Sequence, residues 1–247
     1  MKIEIISLIY RSRMYLDFIS KQLLDDRNIV AGADVSVRIV ANDPTPTILL
    51  ALPQSGVKYE VYHDPKPDDY YLNRVYRCWN HAVVTSTADI VCLVNSDMAF
   101  SKDWLQNLMK HHDGRNIVSS RLVESGRMPS DTHGIGHNLG MHPNEFRESE
   151  WHNYAKSISE DKLLPGGLYM PVLFDKETFI NSGGYPEGNI YTTGIGEYKT
   201  GRHIRSGDDY FFNATLRSKY GMRHVTAFDS LVYHFQSGEM LLSGDDA

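Results

Sequence analysis

Short apolar segments rich in β-branched residues alternate with amphipathic segments along the first half of the chain. The apolar runs predict strands at 3–9, 35–41, 57–62 and 90–94. Apolar side chains at helical spacing predict helices at 15–24, 71–85 and 101–112. In the last of these, Ser101 is the predicted N-cap and Asp103 belongs to the first turn. This alternation predicts an α/β fold with a mostly parallel sheet and helices on both faces.

The second half of the chain has a weaker periodicity. Residues 125–160 are rich in Gly, His, Asn and Ser, which predicts a long irregular insertion with a short helix near 150–157. The remaining predicted elements are a strand at 168–174, a helix at 176–182, a loop at 191–207, a helix at 209–220 closed by Gly221, and a strand at 224–235. We expect residues 1–247 to form one domain.

Composition excludes some classes of protein. Hydrophobic residues make up 41% of the 247 residues, enough to bury a core, and the formal charge of −6 disfavours a dedicated nucleic-acid binder. No apolar run approaches the roughly 18 residues of a membrane span, and the first residues are typical of a strand rather than a secretion signal. Cys78 and Cys92 form no disulfide or metal motif. A cytoplasmic protein is expected.

Polar residues follow several of the predicted strands, where ligands of open α/β sheets bind. Asp43 follows the second strand, Asp97 follows the fourth, and His234 lies at the end of the last. Asp208 and Asp209 begin the late helix. Carboxylates close to an imidazole suit Mg²⁺ or Mn²⁺, which completes its shell with substrate phosphates. The pattern therefore predicts a divalent-cation site.

Several segments resemble GT-A-fold glycosyltransferases, in particular the large family 2 group. ISLIYRSRMYL is similar to the first strand and loop of that family: Tyr10 and Leu16 match, whereas the usual proline is absent and Arg11 replaces an asparagine. RIVANDPT resembles the second strand, with Asp43 in the place of the acid that contacts the nucleobase. Arg74 matches an arginine on the helix beneath the donor.

The most specific match is IVCLVNSDMAFSKDWL, in which Asn95-Ser96-Asp97 stands where the family has its Asp-x-Asp motif. GGLYMPVLFDKETFINSGGYPEG resembles the stretch that leads to a Gly-Gly-Phe-Asp-Glu turn. SGDDYFFNATLRSKYG resembles the helix that supplies the catalytic base, with Asp208 in the place of a glutamate. His234, in VYHF, stands where many GT-A enzymes contribute a metal contact.

The resemblance implies a Rossmann-like, metal-dependent glycosyltransferase of the hexosyltransferase type. Residues 1–115 would bind a nucleotide-sugar, with UDP favoured, and residues 116–247 would carry the acceptor and catalytic half. The implied metal, Mn²⁺ or Mg²⁺, lies on Asp97 and His234. Asp209 is the implied base of an inverting transfer, with Asp208 tuning it or orienting the acceptor. The implied donor contacts are Tyr10, Arg11, Asp43, Arg74, Asn95 and Ser96.

The sequence leaves two other functions open. A sugar nucleotidyltransferase normally has a glycine-rich loop after its first strand, and residues 9–13 contain no glycine. A non-catalytic carbohydrate-binding protein has no need of Asp97, Asp209 and His234. The acceptor is equally open among a glycan, a lipid carrier, a protein and a modified nucleic acid. The basic segment 198–205 is either a lid that closes over the diphosphate or grips an anionic acceptor, or a surface loop.

Overall fold

A mixed sheet runs through the middle of the protein, whose structure is a computed structural model. The structure describes residues 1–66, 71–126, 132–187, 190–194, 197–200 and 207–235. The strands are β1 (Lys2–Ile9), β2 (Asp34–Asn42), β3 (Lys58–Tyr62), β4 (Ile90–Val94), β5 (Met98–Phe100), β6 (Asn116–Glu124), β7 (Gly134–Gly136), β8 (Leu163–Pro165), β9 (Val172–Asp175), β10 (Ile190–Gly194), β11 (Glu197–Thr200) and β12 (Arg223–His234).

Helices connect many of these strands. They are α1 (Arg13–Leu23), α2 (Pro46–Ala51), α3 (Tyr71–Thr85), α4 (Trp104–Lys110), α5 (Glu148–Ile158), α6 (Lys176–Ser182), α7 (Gly207–Asp209) and α8 (Ser218–Tyr220). Between α7 and α8 the chain is π-helical over Tyr210–Arg217. No helix among these described residues is long and apolar enough to cross a membrane.

The strand directions show which strands have their carboxyl ends at the same edge of the sheet. The main sheet has the order β3-β2-β1-β4-β9-β6-β12-β5, and β1 to β4 are parallel along it. Because β9 is antiparallel to both β4 and β6, these two strands point the same way, and β12 is parallel to β6. The carboxyl ends of β1, β2, β4, β6 and β12 therefore lie at one edge. The predicted α/β fold is confirmed.

The sheet is covered on both faces. Along β1 the buried side chains alternate between two clusters: Ile5 packs in one and Ile6 in the other. Alternation along a strand places side chains on opposite faces. The first cluster includes Trp104 of α4 and Trp151 of α5, and the second includes Trp79 of α3 with aromatic residues of the π-helical stretch.

The structure corrects the predicted elements at several points. Helix α4 begins at Trp104, and Asp103 precedes it at φ +60° without a capping hydrogen bond from its side chain. Ser101 is therefore not its N-cap; its N–H instead donates to the carbonyl of Leu231. The strand predicted at 168–174 begins only at Val172. Gly221, at φ +65°, ends α8 as predicted.

Two segments predicted to be irregular contain strands. The insertion predicted at 125–160 contains β7, and strand β6 precedes it where no strand was predicted. The short helix predicted near 150–157 is confirmed and is α5. The predicted loop at 191–207 includes the antiparallel strands β10 and β11. The rest of the predicted loop, residues 195–196 and 201–206 with most of the basic segment, lies outside the described residues.

Candidate active site

Asp97 and His234 meet at the carboxyl edge of the sheet. After β4 the chain reverses into β5, which pairs antiparallel with β12 so that Met98 lies opposite His234. The N–H of Phe235 donates to the carbonyl of Asp97 at 3.0 Å, which fixes the reversal. As a result, Nε2 of His234 lies 3.3 Å from Oδ2 of Asp97. The two side chains are therefore close together, as the family resemblance implies.

A second carboxylate completes this group. Glu124 is the last residue of β6 and lies opposite His234 in the parallel pairing of β6 with β12. Its Oε2 is 2.9 Å from Nδ1 of His234. Burial opposes the charged imidazolium, but Asp97 and Glu124 outweigh it and raise the pKa of His234 to about 10. Glu124 was not predicted from the sequence because β6 was not; the available signal was an acid at the end of the interrupted apolar run 117–123.

The side chains of Asp97 and His234 are of the types that bind a divalent cation. Oδ1 of Asp97 is buried and has no hydrogen-bond partner, so an oxygen ligand is left over beside the imidazole. A carboxylate oxygen with an imidazole nitrogen suits Mn²⁺ and Mg²⁺. Glu124 is placed to accept a hydrogen bond from the Nδ1–H group of His234, and this leaves Nε2 free to bind a metal ion. A carboxylate in this position is the usual partner of a metal-bound histidine. The residues present therefore fit such an ion.

Asp43 forms a second group at the same edge. It follows β2 with φ +47°, a left-handed conformation that aspartate tolerates better than most residues. The N–H of Asp64 donates to Oδ1 at 3.1 Å, and Nδ1 of His63 is 2.9 Å from the same atom. An amino group of Arg74, on α3, is 3.7 Å from Oδ2. Oδ2 is buried without a hydrogen-bond partner, as is Nε of Arg74.

The other predicted donor contacts lie at the ends of strands at this edge. Tyr10 follows β1 directly and is exposed, with the guanidinium carbon of Arg11 5.8 Å from the centre of its ring. Asn95 and Ser96 are partly exposed between β4 and β5, immediately before Asp97. The structure therefore places these residues at the edge where the sequence analysis expected them.

Asp208 and Asp209 begin the helical segment that precedes β12, and they have different surroundings. The hydroxyl of Tyr76, on α3, hydrogen-bonds the carboxyl group of Asp208. Burial, helped by the charge of Asp209, raises the pKa of Asp208 to about 6 despite that bond. Oδ1 of Asp209 instead accepts from the hydroxyl of Tyr169 at 3.0 Å and from the side-chain amide of Asn213 at 2.7 Å.

Asn80 fixes the turn that follows α6. Its Nδ2 donates to the carbonyl of Tyr185 at 2.9 Å, and its Oδ1 accepts from the N–H of Tyr185 at 2.8 Å. The ring of Tyr185 stacks on Tyr76 with 5.0 Å between ring centres. Asn80 therefore supports the residues beneath Asp208 through backbone contacts to this turn.

A further His/Asp/Asp group lies on the α4 side of the sheet. Ligand atoms of His111, Asp161 and Asp229 lie within 4.8 Å of one another, the geometry of a possible cation site. However, Nζ of Lys110 bonds both carboxylates, at 2.5 Å to Asp161 and 3.1 Å to Asp229. Because this ammonium group already bridges the two acids, we interpret the three side chains and Lys110 as an ionic network that ties Asp161 to α4.

Comparison with known proteins rests on structure alone, because no protein-family model and no curated protein matches the sequence. TarS (residues 1–349) from S. aureus superposes with a TM-score of 0.51 and 14% identity, over 95% of this chain and 60% of that one. A mannosyltransferase from Pyrobaculum calidifontis, in complex with GDP-Man and Mn²⁺, superposes with a TM-score of 0.55 and 14% identity. The chain has the GT-A fold. It matches 94% of its own length to that mannosyltransferase but only 56% of the other chain, so it spans less than two thirds of either GT-A protein.

Proposed function

We propose that this protein is a metal-dependent glycosyltransferase that moves a sugar from a nucleotide-diphospho-sugar to an acceptor hydroxyl, with inversion. The observation that carries the proposal is the 3.3 Å approach of His234 to Asp97 at the carboxyl edge of a GT-A fold. This edge is where ligands of open α/β sheets bind. The resemblance found in the sequence assigns the same two residues to the metal.

Asp97 and His234 would hold Mn²⁺ or Mg²⁺. When bound, the ion supplies Lewis-acid stabilisation of the diphosphate as it leaves. The fit rests on the unpartnered Oδ1 of Asp97 and on the orientation of His234 by Glu124. Asn95 and Ser96 precede Asp97 at this edge and would contact the donor beside the ion.

Asp43 and Arg74 would bind the nucleoside part of the donor. The buried, unpartnered Oδ2 of Asp43 is an acceptor for a ring N–H, and the unpartnered Nε of Arg74 is a donor for a carbonyl or phosphate oxygen. Leaving such buried groups without partners is costly, so a ligand that satisfies them binds favourably. Tyr10 and Arg11, at the end of β1, would contact the same part of the donor.

Asp209 would act as the base. Its carboxylate would take the proton from the acceptor hydroxyl while the hydroxyl oxygen attacks the anomeric carbon. The bond between that carbon and the diphosphate oxygen breaks, and the nucleoside diphosphate leaves with the electron pair. Asp208 would support this role by fixing the start of the helix to α3 through Tyr76. Its carboxyl faces the tyrosines of α3 and of the turn after α6, whereas Asp209 is held by Tyr169.

The proposal is tested by thermal unfolding with UDP-glucose, UDP-N-acetylglucosamine, GDP-mannose and dTDP-glucose, each with and without Mn²⁺. A donor at 100 times its Kd stabilises by about 2.7 kcal/mol. For a chain of this size this is a rise in Tm of about 5 to 10 °C. We expect one donor to give this rise with Mn²⁺ only, and Asp97→Asn to abolish it. Asp17→Asn, on the exposed side of α1, is the matched control.

Turnover of the donor that binds then tests the chemistry. Asp209→Asn should lower transfer, or hydrolysis with water as acceptor, by about 10²-fold or more and leave donor binding intact. Undiminished turnover in this variant would remove Asp209 from the mechanism. Stabilisation by free glycans alone would instead identify a carbohydrate-binding protein. Formation of a nucleotide-sugar from a nucleoside triphosphate and a sugar 1-phosphate would identify a nucleotidyltransferase.

A further inference from the structure

Tyr169 reaches the proposed base from a different part of the fold. It lies between β8 and β9, whereas Asp209 ends α7. The hydroxyl of Tyr169 donates to Oδ1 of Asp209 at 3.0 Å, and the amide of Asn213 donates to the same oxygen at 2.7 Å. Two donors from different directions on one oxygen restrict the rotation of the carboxylate. The contact also ties the start of the helical segment to the sheet.

The ring of Tyr169 is held between two other rings. It packs on Phe212, with 4.9 Å between ring centres, and stacks on His224, with 6.0 Å between them. Nε2 of His224 is 2.8 Å from the hydroxyl oxygen of Ser119 in β6. Burial lowers the pKa of His224 to about 4, helped by His133, so this imidazole is neutral at pH 7. Tyr169 therefore stacks on an uncharged ring that is fixed to the sheet.

The backbone before Tyr169 is anchored as well. The N–H of Gly166 donates to the carbonyl of His224 at 2.8 Å, and the hydroxyl of Thr226 donates to the carbonyl of Gly166 at 2.8 Å. β8 pairs antiparallel with β12 just before this point. The ring of Tyr169 and the backbone before it therefore both contact β12, the strand that also carries His234.

We propose that Tyr169 is a positioning residue that orients the carboxylate of Asp209 for proton transfer, with His224 as its support. This inference rests on the proposed function. Orientation of a catalytic group contributes to the chemical step rather than to donor binding, because a small misplacement of reacting groups is costly to the rate. Neither residue could be selected from the sequence, since the contacts of Tyr169 to Asp209 and to His224 join distant segments of the chain.

The test compares the wild type with Tyr169→Phe, Asp209→Asn and the double variant in donor hydrolysis and in transfer. Phenylalanine keeps the ring that packs on Phe212 and His224 and removes only the hydroxyl. We expect Tyr169→Phe to lower kcat about tenfold, the scale of one hydrogen bond to a charged group, and to leave KM for the donor within about twofold. The double variant should be no slower than Asp209→Asn. Tyr220→Phe, which removes a hydroxyl bonded to the carbonyl of Asn181, is the matched control.

Each outcome decides the question. If Asp209→Asn is inactive and Tyr169→Phe has the wild-type kcat, the positioning role is wrong and the proposed function stands. If Asp209→Asn keeps its turnover, the proposed base itself is wrong. A double variant slower than Asp209→Asn would show that Tyr169 acts independently of Asp209. A fall in kcat accompanied by a larger loss of Tm than in Tyr220→Phe would show a structural role instead, and would also overturn the inference.

Discussion

Oε2 of Glu124 lies 2.9 Å from Nδ1 of His234, on the side of the imidazole away from Asp97. The two residues end the neighbouring parallel strands β6 and β12, so the register of the pairing sets their contact. A histidine that donates one N–H to a carboxylate presents its other nitrogen in a fixed direction. Glu124 therefore determines which nitrogen of His234 faces Asp97.

Glu124→Gln should weaken the binding of Mn²⁺ measured in the presence of UDP or GDP. Glutamine keeps the shape and an acceptor oxygen but loses the charge, and changes of this kind in second partners lower metal affinity by about 10- to 100-fold. Isothermal titration with Mn²⁺ measures the change. Glu150→Gln, at an exposed ion pair on α5, should behave as the wild type. Equal Mn²⁺ affinity in the two variants would rule out this role for Glu124.

Asp43→Asn should weaken nucleotide binding by about 10- to 100-fold, the range for loss of a hydrogen bond to a charged group. Asparagine tolerates the left-handed backbone at this position, so the fold should be retained. Titration with the nucleoside diphosphate that stabilises the wild type gives the affinity. Asp34→Asn, at the exposed opposite end of β2, is the control. An unchanged affinity in Asp43→Asn would place the nucleoside elsewhere.

Asp208 should make folding less favourable as the pH rises. The pKa of its carboxyl group is about 6 in the folded protein, compared with an ordinary value of 3.8. The folded state therefore binds the proton of Asp208 more tightly than the unfolded state does. The carboxyl group is protonated in both states below about pH 3, and the cost of ionising it grows as the pH rises from there to about 6. Above that pH the cost is about 2 to 3 kcal/mol.

Asp208→Asn removes this titration. The free energy of unfolding of the wild type and the variant is measured with urea at pH 4 and at pH 7.5. Relative to the wild type, the variant should be more stable at pH 7.5 than it is at pH 4. The difference between the two proteins isolates Asp208 from the other groups that titrate over this range. A difference that is the same at both pH values would contradict the raised pKa.

Gly184→Ala should destabilise the protein more than Gly183→Ala. Both glycines have positive φ, +86° at Gly183 and +70° at Gly184, so both substitutions strain the backbone. A β-carbon at Gly183 meets no atom within 4 Å, whereas one at Gly184 lies 2.5 Å from Oδ1 of Asn80 and 2.9 Å from Phe179. The clash should add about 1 to 3 kcal/mol, the usual cost of overpacking. Urea unfolding of both variants measures the loss of stability. Equal losses in the two variants would mean that the turn shifts enough to relieve the clash.

The sequence by itself predicted much of the first half of the fold. Each apolar run there is long enough to be recognised, and the strands at 2–9, 34–42 and 90–94 agree with prediction to within a residue or two. β6 was missed because Ser119 and Ser120 interrupt its apolar run. Both serines are buried and are satisfied by partners from distant segments, His224 and Ser230. A local pattern contains no sign of such partners.

The sequence also determined which chemical groups are present at the carboxyl ends of the strands, because a strand and the polar residue after it are neighbours in the chain. Apart from the pair of Asp97 and His234, which the family resemblance implied, only the tertiary structure decided which of these groups meet. The pairing of β12 with β5 brings His234 to Asp97, and its pairing with β6 brings it to Glu124. The packing between β8 and β9 brings Tyr169 to Asp209. These contacts depend on strand order and register, which are set by the burial of whole faces of the sheet rather than by the periodicity of any one segment.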